Sequence, residues 1–192
     1  MPEMDCRKLI ILDRDGVINH DSDDFIKSVD EWIPLPGSLE AMARLTLSGW
    51  TVAVASNQSG LARGLFSEAT LDAMHQKMHD LLATLGGRVD HLVYCPHGPD
   101  EISTCRKPLP GMYEEIAAHF GCSLTGVPVV GDSLRDLQAA VAVHAHPILV
   151  RTGKGERTLT AGALPEGTLV YADLASAVES LLAGASSHSY PS

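Results

Sequence analysis

The sequence predicts an α/β fold in which one parallel β-sheet is packed between two layers of helices. Three observations carry that expectation. Short runs of branched apolar residues recur along the chain, helix-like segments separate them, and the runs are apolar throughout rather than alternating. A strand that is apolar at every position is buried on both faces, as in a parallel sheet covered on each side.

The elements follow in order. Residues 8–13, KLIILD, make a first strand that ends on an acid. Residues 37–49 read as a helix opened by Pro36 and closed by Gly49. Residues 51–55, TVAVA, are a second strand. Ser67 caps a helix over 68–85, which Gly86-Gly87 ends, and Met74 and Met78 are placed at helical spacing on its core face. Residues 91–94, HLVY, form a third strand, and Pro110 opens a helix that Gly121 stops after Phe120. Residues 127–131, VPVVG, form a fourth strand, followed by a helix over 134–143. Residues 147–150, PILV, are a fifth strand and 169–172 a sixth, with a last helix over 174–182. One domain over 1–184 is expected, followed by a polar, disordered tail at 185–192.

Composition excludes several function classes. The chain has 192 residues, 45% hydrophobic and 20% charged, so it can bury a core and does not resemble a disordered segment. Its net charge of -10 argues against nucleic acid or an anionic membrane surface as the main partner, since both select a basic face. No run approaches the ~20 apolar residues of a membrane helix, and residues 1–8 do not read as a signal peptide. The four cysteines, Cys6, Cys95, Cys105 and Cys122, are sparse and irregular, which points to a reducing, cytoplasmic setting. Cys6 and Cys122 read as small apolar residues, and His144 and His146 as ordinary connection residues.

The polar residues gather at strand ends. Asp13 and Asp15 follow the first strand, Ser56 and Asn57 the second, and Asp132 and Ser133 the fourth. Ligands bind parallel sheets beyond the carboxyl ends of their strands, so three independent segments agree on one rim. In Asp13-Arg14-Asp15-Gly16, one acid can attack phosphorus and hold a metal while the other moves protons, and Gly16 permits a sharp turn. Ser56-Asn57-Gln58-Ser59-Gly60 offers a hydroxyl and backbone N–H groups to phosphate oxygens. Lys107 in Arg106-Lys107-Pro108 can neutralise a bound phosphate together with the nucleophile. Asp132 can complete a metal site, with Asp136 one helical turn later. Taken singly, these segments have ordinary readings: solvated acids at a turn, a polar cap, a surface basic pair and a helix N-cap.

Taken in order, the four segments resemble the four motifs of the haloacid dehalogenase superfamily, over roughly residues 8–152. That resemblance implies a three-layer, Rossmann-like domain. It also implies a Mg²⁺-dependent phosphomonoesterase with Asp13 as nucleophile and Asp15 as general acid and then base. Ser56 and Lys107 would hold the transferring phosphoryl group, and Mg²⁺ would be bound by Asp13, Asp132 and the backbone carbonyl of Asp15. Residues 16–36 are too few for a folded cap, and those from 57 to 106 are largely used by a core helix and strand, so a capless enzyme with an open site is expected.

The stretches DRDGVIN, SNQSGLARG, CPH, CRKPLPGM and GDSLRD resemble a narrower group, the D-glycero-D-manno-heptose 1,7-bisphosphate 7-phosphatases of lipopolysaccharide and glycoprotein heptose synthesis. Histidinol-phosphate phosphatases share much of the pattern. The resemblance implies a phosphorylated sugar substrate, lined by Asp21, Ser22, Asp23, Asp24, Asn57, Gln58, Ser59 and Arg106, and a monomeric protein. Arg63 has no assigned role. The group also carries Cys-x-His and Cys-x-Cys, four ligands for a structural zinc. Here Ser103 stands where one cysteine is expected, leaving Cys95, His97 and Cys105 as weak zinc ligands, with Asp100, Glu101 or water as the fourth, or as plain loop residues.

Three other readings compete. A histidinol-phosphate phosphatase, or one for another small monoester, would share this chemistry. A receiver-like phosphorylation switch would need an acid ending the third strand, which ends Val93-Tyr94-Cys95. A small zinc-stabilised interaction module is disfavoured by Ser103 and by the rest of the acidic set.

Overall fold

The structure is a computed structural model that describes residues 6–186. Its six strands are β1 (Leu9–Leu12), β2 (Thr51–Asn57), β3 (His91–Cys95), β4 (Pro128–Gly131), β5 (His146–Val150) and β6 (Leu169–Tyr171). They form one sheet in the order β3-β2-β1-β4-β5-β6, every neighbouring pair parallel. The helices are α1 (Ser38–Leu47), α2 (Glu68–Thr84), α3 (Gly111–Phe120), α4 (Leu134–Ala142), α5 (Gly155–Ala161) and α6 (Leu174–Ser186). The parallel α/β architecture expected from the apolar runs is therefore the one observed.

Alternation along β1 builds the two cores. Ile10 and Leu12 pack with Val52, Val54, Met42, Met74, Met78 and Val178 on the side covered by α1, α2 and α6. Leu9 and Ile11 pack with Ala53, Val93, Val129, Met112, Ile116 and Ala140 on the side covered by α3 and α4. Successive side chains of a strand point to opposite faces, so four consecutive apolar residues in β1 feed both layers.

Residues 13–37 carry no helix or multi-residue strand, and no cap stands on them. This stretch is instead anchored to the sheet, because Val17, Ile18, Ile26 and Trp32 are all buried in the first core. Ser67 caps α2 as its sequence suggests, its Oγ accepting from Thr70 N at 3.1 Å.

Three features depart from the sequence reading. The seven-residue helix α5 was not anticipated, because its Thr- and Gly-rich stretch has little apolar periodicity. The last helix continues through Gly184 and Ala185 to Ser186, residues placed at the edge of or within a disordered tail; residues 187–192 lie outside the described residues. The cysteines are joined, Cys6 to Cys122 and Cys95 to Cys105. The first pair ties the turn that leads into β1 to the loop after α3, so these residues do more than fill space. Among the described residues no helix is long and apolar enough to cross a membrane.

Candidate active site

The carboxyl ends of β1, β2 and β4 open into one pocket, lined among others by Asp13, Asp15, Asn57, Gln58, Lys107 and Asp132. Asp13 extends the β1 ladder, its N–H donating to Val130 O at 2.9 Å, so the carboxylate sits over the centre of the sheet. The chain then curls, Val17, Ile18 and Asn19 donating their N–H groups to Arg14 O at 2.8 to 3.3 Å. Gly16 makes that curl at φ 83°. A Cβ there would collide with the Asp132 carboxylate, so the missing side chain is required by space as well as by φ.

Asp15 turns one oxygen inward. Its Oδ1 accepts from Arg14 Nε (3.1 Å), Arg14 Nη2 (2.8 Å) and Asn19 Nδ2 (2.8 Å), whereas Oδ2 accepts from Gln58 Nε2 at 2.9 Å. Burial alone would push this carboxyl up. The Arg14 guanidinium and the donors from Asn19, Arg14 and Gln58 outweigh it and hold Asp15 below the usual carboxylate value. Gln58 also donates to Ser56 Oγ at 2.8 Å, and Ser56 is buried beneath the pocket rather than on its wall.

Lys107 is 2% exposed and spans the floor. Its Nζ donates to Asp136 Oδ1 (2.6 Å), Ala55 O (2.7 Å) and Asp13 Oδ1 (3.1 Å). Burial disfavours the ammonium, but Asp13 and Asp136 more than offset that and raise it well above its ordinary value. The Asn57 side chain grips the lysine main chain at both ends, Lys107 N donating to Oδ1 (3.0 Å) and Nδ2 donating to Lys107 O (3.2 Å).

One carboxylate oxygen from each of Asp13, Asp132 and Asp136 lies within 4.8 Å of the others. Asp136 is fully committed, Oδ1 to Lys107 and Oδ2 to Asp132 N (3.2 Å), Ser133 N (3.1 Å) and Ser133 Oγ (3.0 Å). Asp13 Oδ2 and Asp132 Oδ1 accept no hydrogen bond among the described residues. Burial and Asp136 raise Asp13 well above the carboxylate range against the pull of Lys107, and burial with Asp136 pushes Asp132 up to about 7. Two buried carboxylates that repel ionisation, each with an oxygen to spare, fit a hard dication such as Mg²⁺.

The loop after β5 completes the setting of Asp132. Lys154 N donates to Asp132 Oδ2 at 2.8 Å, and Thr158 Oγ1 donates to Asp132 O at 2.8 Å. A Cβ at Gly153 would overlap that carboxylate and the Gly16 backbone. Sequence reading passed over this loop, although the strand-end rule that found Asp132 after β4 applies equally to the neighbouring β5.

The outer wall has acidic and basic patches. Asp21, Ser22 and Asp23 line it, Asp21 pairing with Lys154 Nζ (3.1 Å) and Asp23 with Arg157 Nη2 (3.0 Å). Asp24 is exposed and off the wall. Asn57, Gln58, Ser59 and Arg106 are on the wall, joined by Phe25, Ser133, Arg135, Asp136 and Lys154, none of which had been assigned to the substrate. Arg106 lies near Arg135 and Arg63; burial and these two cations lower its pKa. Arg63 stacks over the Phe25 ring at 5.4 Å.

The weak zinc site gains no support. Cys95 and Cys105 are bonded to each other, which leaves no thiolate on either, and His97 Nδ1 faces Glu101 Oε2 at 3.5 Å. The acidic trio is the one candidate metal group among the described residues.

Comparison with known proteins points the same way as the geometry. Residues 104–177 match the HAD-hydrolase-like family model, and residues 8–133 match that of the polynucleotide kinase 3 phosphatases. The chain is 64% identical over 175 residues to the D-glycero-beta-D-manno-heptose-1,7-bisphosphate 7-phosphatase of Bordetella bronchiseptica, spanning 91% of this chain and 98% of that one. It is 59% identical over 176 residues to the Pseudomonas aeruginosa protein of the same name, spanning 92% and 98%. The crystal structure of the Bordetella bronchiseptica phosphatase, complexed with magnesium and phosphate, superposes with a TM-score of 0.91 at 63% identity, covering 92% of this chain and 99% of that one.

Proposed function

The chain belongs to the D-glycero-beta-D-manno-heptose-1,7-bisphosphate 7-phosphatase family of haloacid dehalogenase-like phosphatases, and from that premise we propose how its own residues act and on what. The enzyme is a phosphoric monoester hydrolase. Its proposed substrate is the sugar bisphosphate of its relatives, from which it takes the 7-phosphate. The observation that carries this reading is that one pocket joins the floor around Asp13 and Lys107 to a rim that bears Arg106 and Arg135, so that it offers positive charge to two phosphates. Guanidinium groups pair with phosphate oxygens in a two-pronged geometry, so a second phosphate at the rim would place the first over the floor.

Asp13 attacks the phosphorus of the 7-phosphate, and the bond from phosphorus to the sugar oxygen breaks. Asp15 protonates that oxygen as it leaves. At rest Asp15 is ionised, and the approach of a phosphoryl dianion favours its protonated form. Asp15 then takes a proton from water, which attacks the aspartyl-phosphate and releases inorganic phosphate and free Asp13. Lys107 balances negative charge on Asp13 and the phosphoryl oxygens. Bound by Asp13, Asp132 and the Asp15 carbonyl, Mg²⁺ would supply the remaining positive charge.

Ser56 would reach the phosphoryl group by releasing Gln58, and Asp21 would accept from a sugar hydroxyl by releasing Lys154. The surrounding pocket is uncapped, which suits a small soluble sugar, and a monomer suffices to build it. A cytoplasmic location accords with such a substrate. The test is phosphate release with Mg²⁺ across heptose 1,7-bisphosphate, sugar monophosphates and histidinol phosphate. Heptose bisphosphate should lead; a tenfold preference for histidinol phosphate would overturn the substrate.

A further inference from the structure

Arg14 is wholly buried, and its guanidinium is held on two sides. Nε and Nη2 donate to Asp15 Oδ1, and Nη1 points at His75 Nε2 from 3.2 Å. A guanidinium has five N–H donors and no acceptor, so the imidazole must present a lone pair at Nε2. The ring is therefore neutral, with its proton on Nδ1. Burial first, and then Arg14, push its pKa down to about 3, in keeping with that tautomer.

His75 sits on the buried face of α2, between Leu71, Met74 and Met78, 6% exposed and beside the Tyr94 ring at 6.2 Å. Leucine or methionine is the ordinary occupant of such a position, and an imidazole costs burial of a polar ring. The ring does not line the pocket. Arg14 connects it to Asp15, contacting His75 on one side and Asp15 Oδ1 on the other.

We propose that His75 is a positioning residue: its Nε2 lone pair fixes the Arg14 fork, and the fork aims the Asp15 carboxylate at the leaving oxygen. This rests on the reading of Asp15 as general acid and base. Without the acceptor, the Nη1 edge of a buried cation loses its partner, and Arg14 turns toward another acceptor, pulling Asp15 Oδ1 with it. The sugar and its phosphates never meet His75, so binding is untouched while proton transfer suffers.

Two substitutions separate this from a packing role. Gln places an amide oxygen close to the position of Nε2, whereas Leu fills the space with no acceptor. With heptose bisphosphate and Mg²⁺, His75→Leu should lower kcat by about 10- to 100-fold, a part of the roughly 10²- to 10⁴-fold that general acid–base catalysis supplies, at a KM within about twofold of wild type. His75→Gln should recover kcat to within about threefold by restoring the acceptor. Equal impairment in both variants, a Leu variant with wild-type kcat, or a loss confined to KM would overturn the proposal. Long-range ¹H–¹⁵N spectra of the unmodified protein at neutral pH give a readout that does not need a folded variant: Nε2 should be unprotonated and Nδ1 protonated, and the reverse tautomer ends the idea. A wild-type protein inert to heptose bisphosphate would sink the substrate alone, and the same variants would then be compared on an alkyl phosphate that the protein does cleave, whose poor leaving group still needs a proton.

Discussion

Lys107 Nζ lies 2.6 Å from Asp136 Oδ1, both side chains 2% exposed. A buried ammonium and carboxylate in contact hold each other in the folded state, and removing one leaves the other charged without a partner. Lys107→Met should therefore cost roughly 3–5 kcal/mol of stability in addition to nearly all activity. Asp136→Asn keeps a hydrogen-bonding side chain in place and should cost less stability. Urea melts of both variants provide the comparison, and an unchanged midpoint for Lys107→Met would show that the pair does not support the fold.

Asp13→Asn should abolish steady-state phosphate release and leave the fold intact. Asp13 is crowded by Asp136 and Asp132, so neutralising it removes repulsion. The thermal midpoint of the metal-free variant should equal or exceed that of the wild type. Measurable turnover would show that the nucleophile lies elsewhere.

Asp132 sets a pH dependence in metal-free protein. Its pKa rises from 3.8 to about 7 on folding, so between those values the folded chain keeps a proton that the unfolded chain has lost. The stabilising contribution is full below the lower value and lost as pH climbs through the upper one. In EDTA, Tm should fall between pH 5 and pH 8 by more in the wild type than in Asp132→Asn. Mg²⁺ at pH 8 should restore the wild type and not the variant. Equal drops in both proteins would remove Asp132 as the cause.

Gly153→Ala should raise the Mg²⁺ concentration needed for half-maximal rate. The new methyl group overlaps the Asp132 carboxylate and the Gly16 backbone, at a residue with φ 57°. Overpacking of this kind costs ~1–3 kcal/mol, and here the displaced group is a proposed metal ligand. A metal titration of the rate matching wild type would show that the loop yields without disturbing Asp132.

Arg106→Ala should raise KM for the bisphosphate by about tenfold, the worth of a charge-assisted contact, and leave kcat nearly unchanged. A sugar phosphorylated only at the cleaved position should show little change. Equal effects on both substrates would place Arg106 at the transferring phosphate instead.

The sheet was legible because continuous apolar strands announce burial on both sides, and the acids after β1 and β4 could be placed by the strand-end rule alone. Lys107 was found through its motif, yet its clamp by Asn57 spans 50 positions of sequence and leaves no local trace. Lys154 escaped notice because α5 lacks the apolar spacing that marks a helix. The disulfide between Cys95 and Cys105 was hidden by a spacing that metal-binding loops share with bonded thiols. His75 was invisible for a simpler reason: its partner Arg14 lies 61 residues away, and a histidine on a helix gives no sign of which nitrogen it uses.

The grip of Asn57 on Lys107 imitates the pairing of adjacent strands, with a side-chain amide standing in for a peptide group. Lys107 is thus indexed to the end of β2 and not to the length of the loop that precedes it. The exposed residues Pro99, Asp100 and Glu101 make no contact with this clamp, so changes there leave the ammonium in register with Asp13. Substrate preference can drift in such a scaffold without retuning the reaction beneath it.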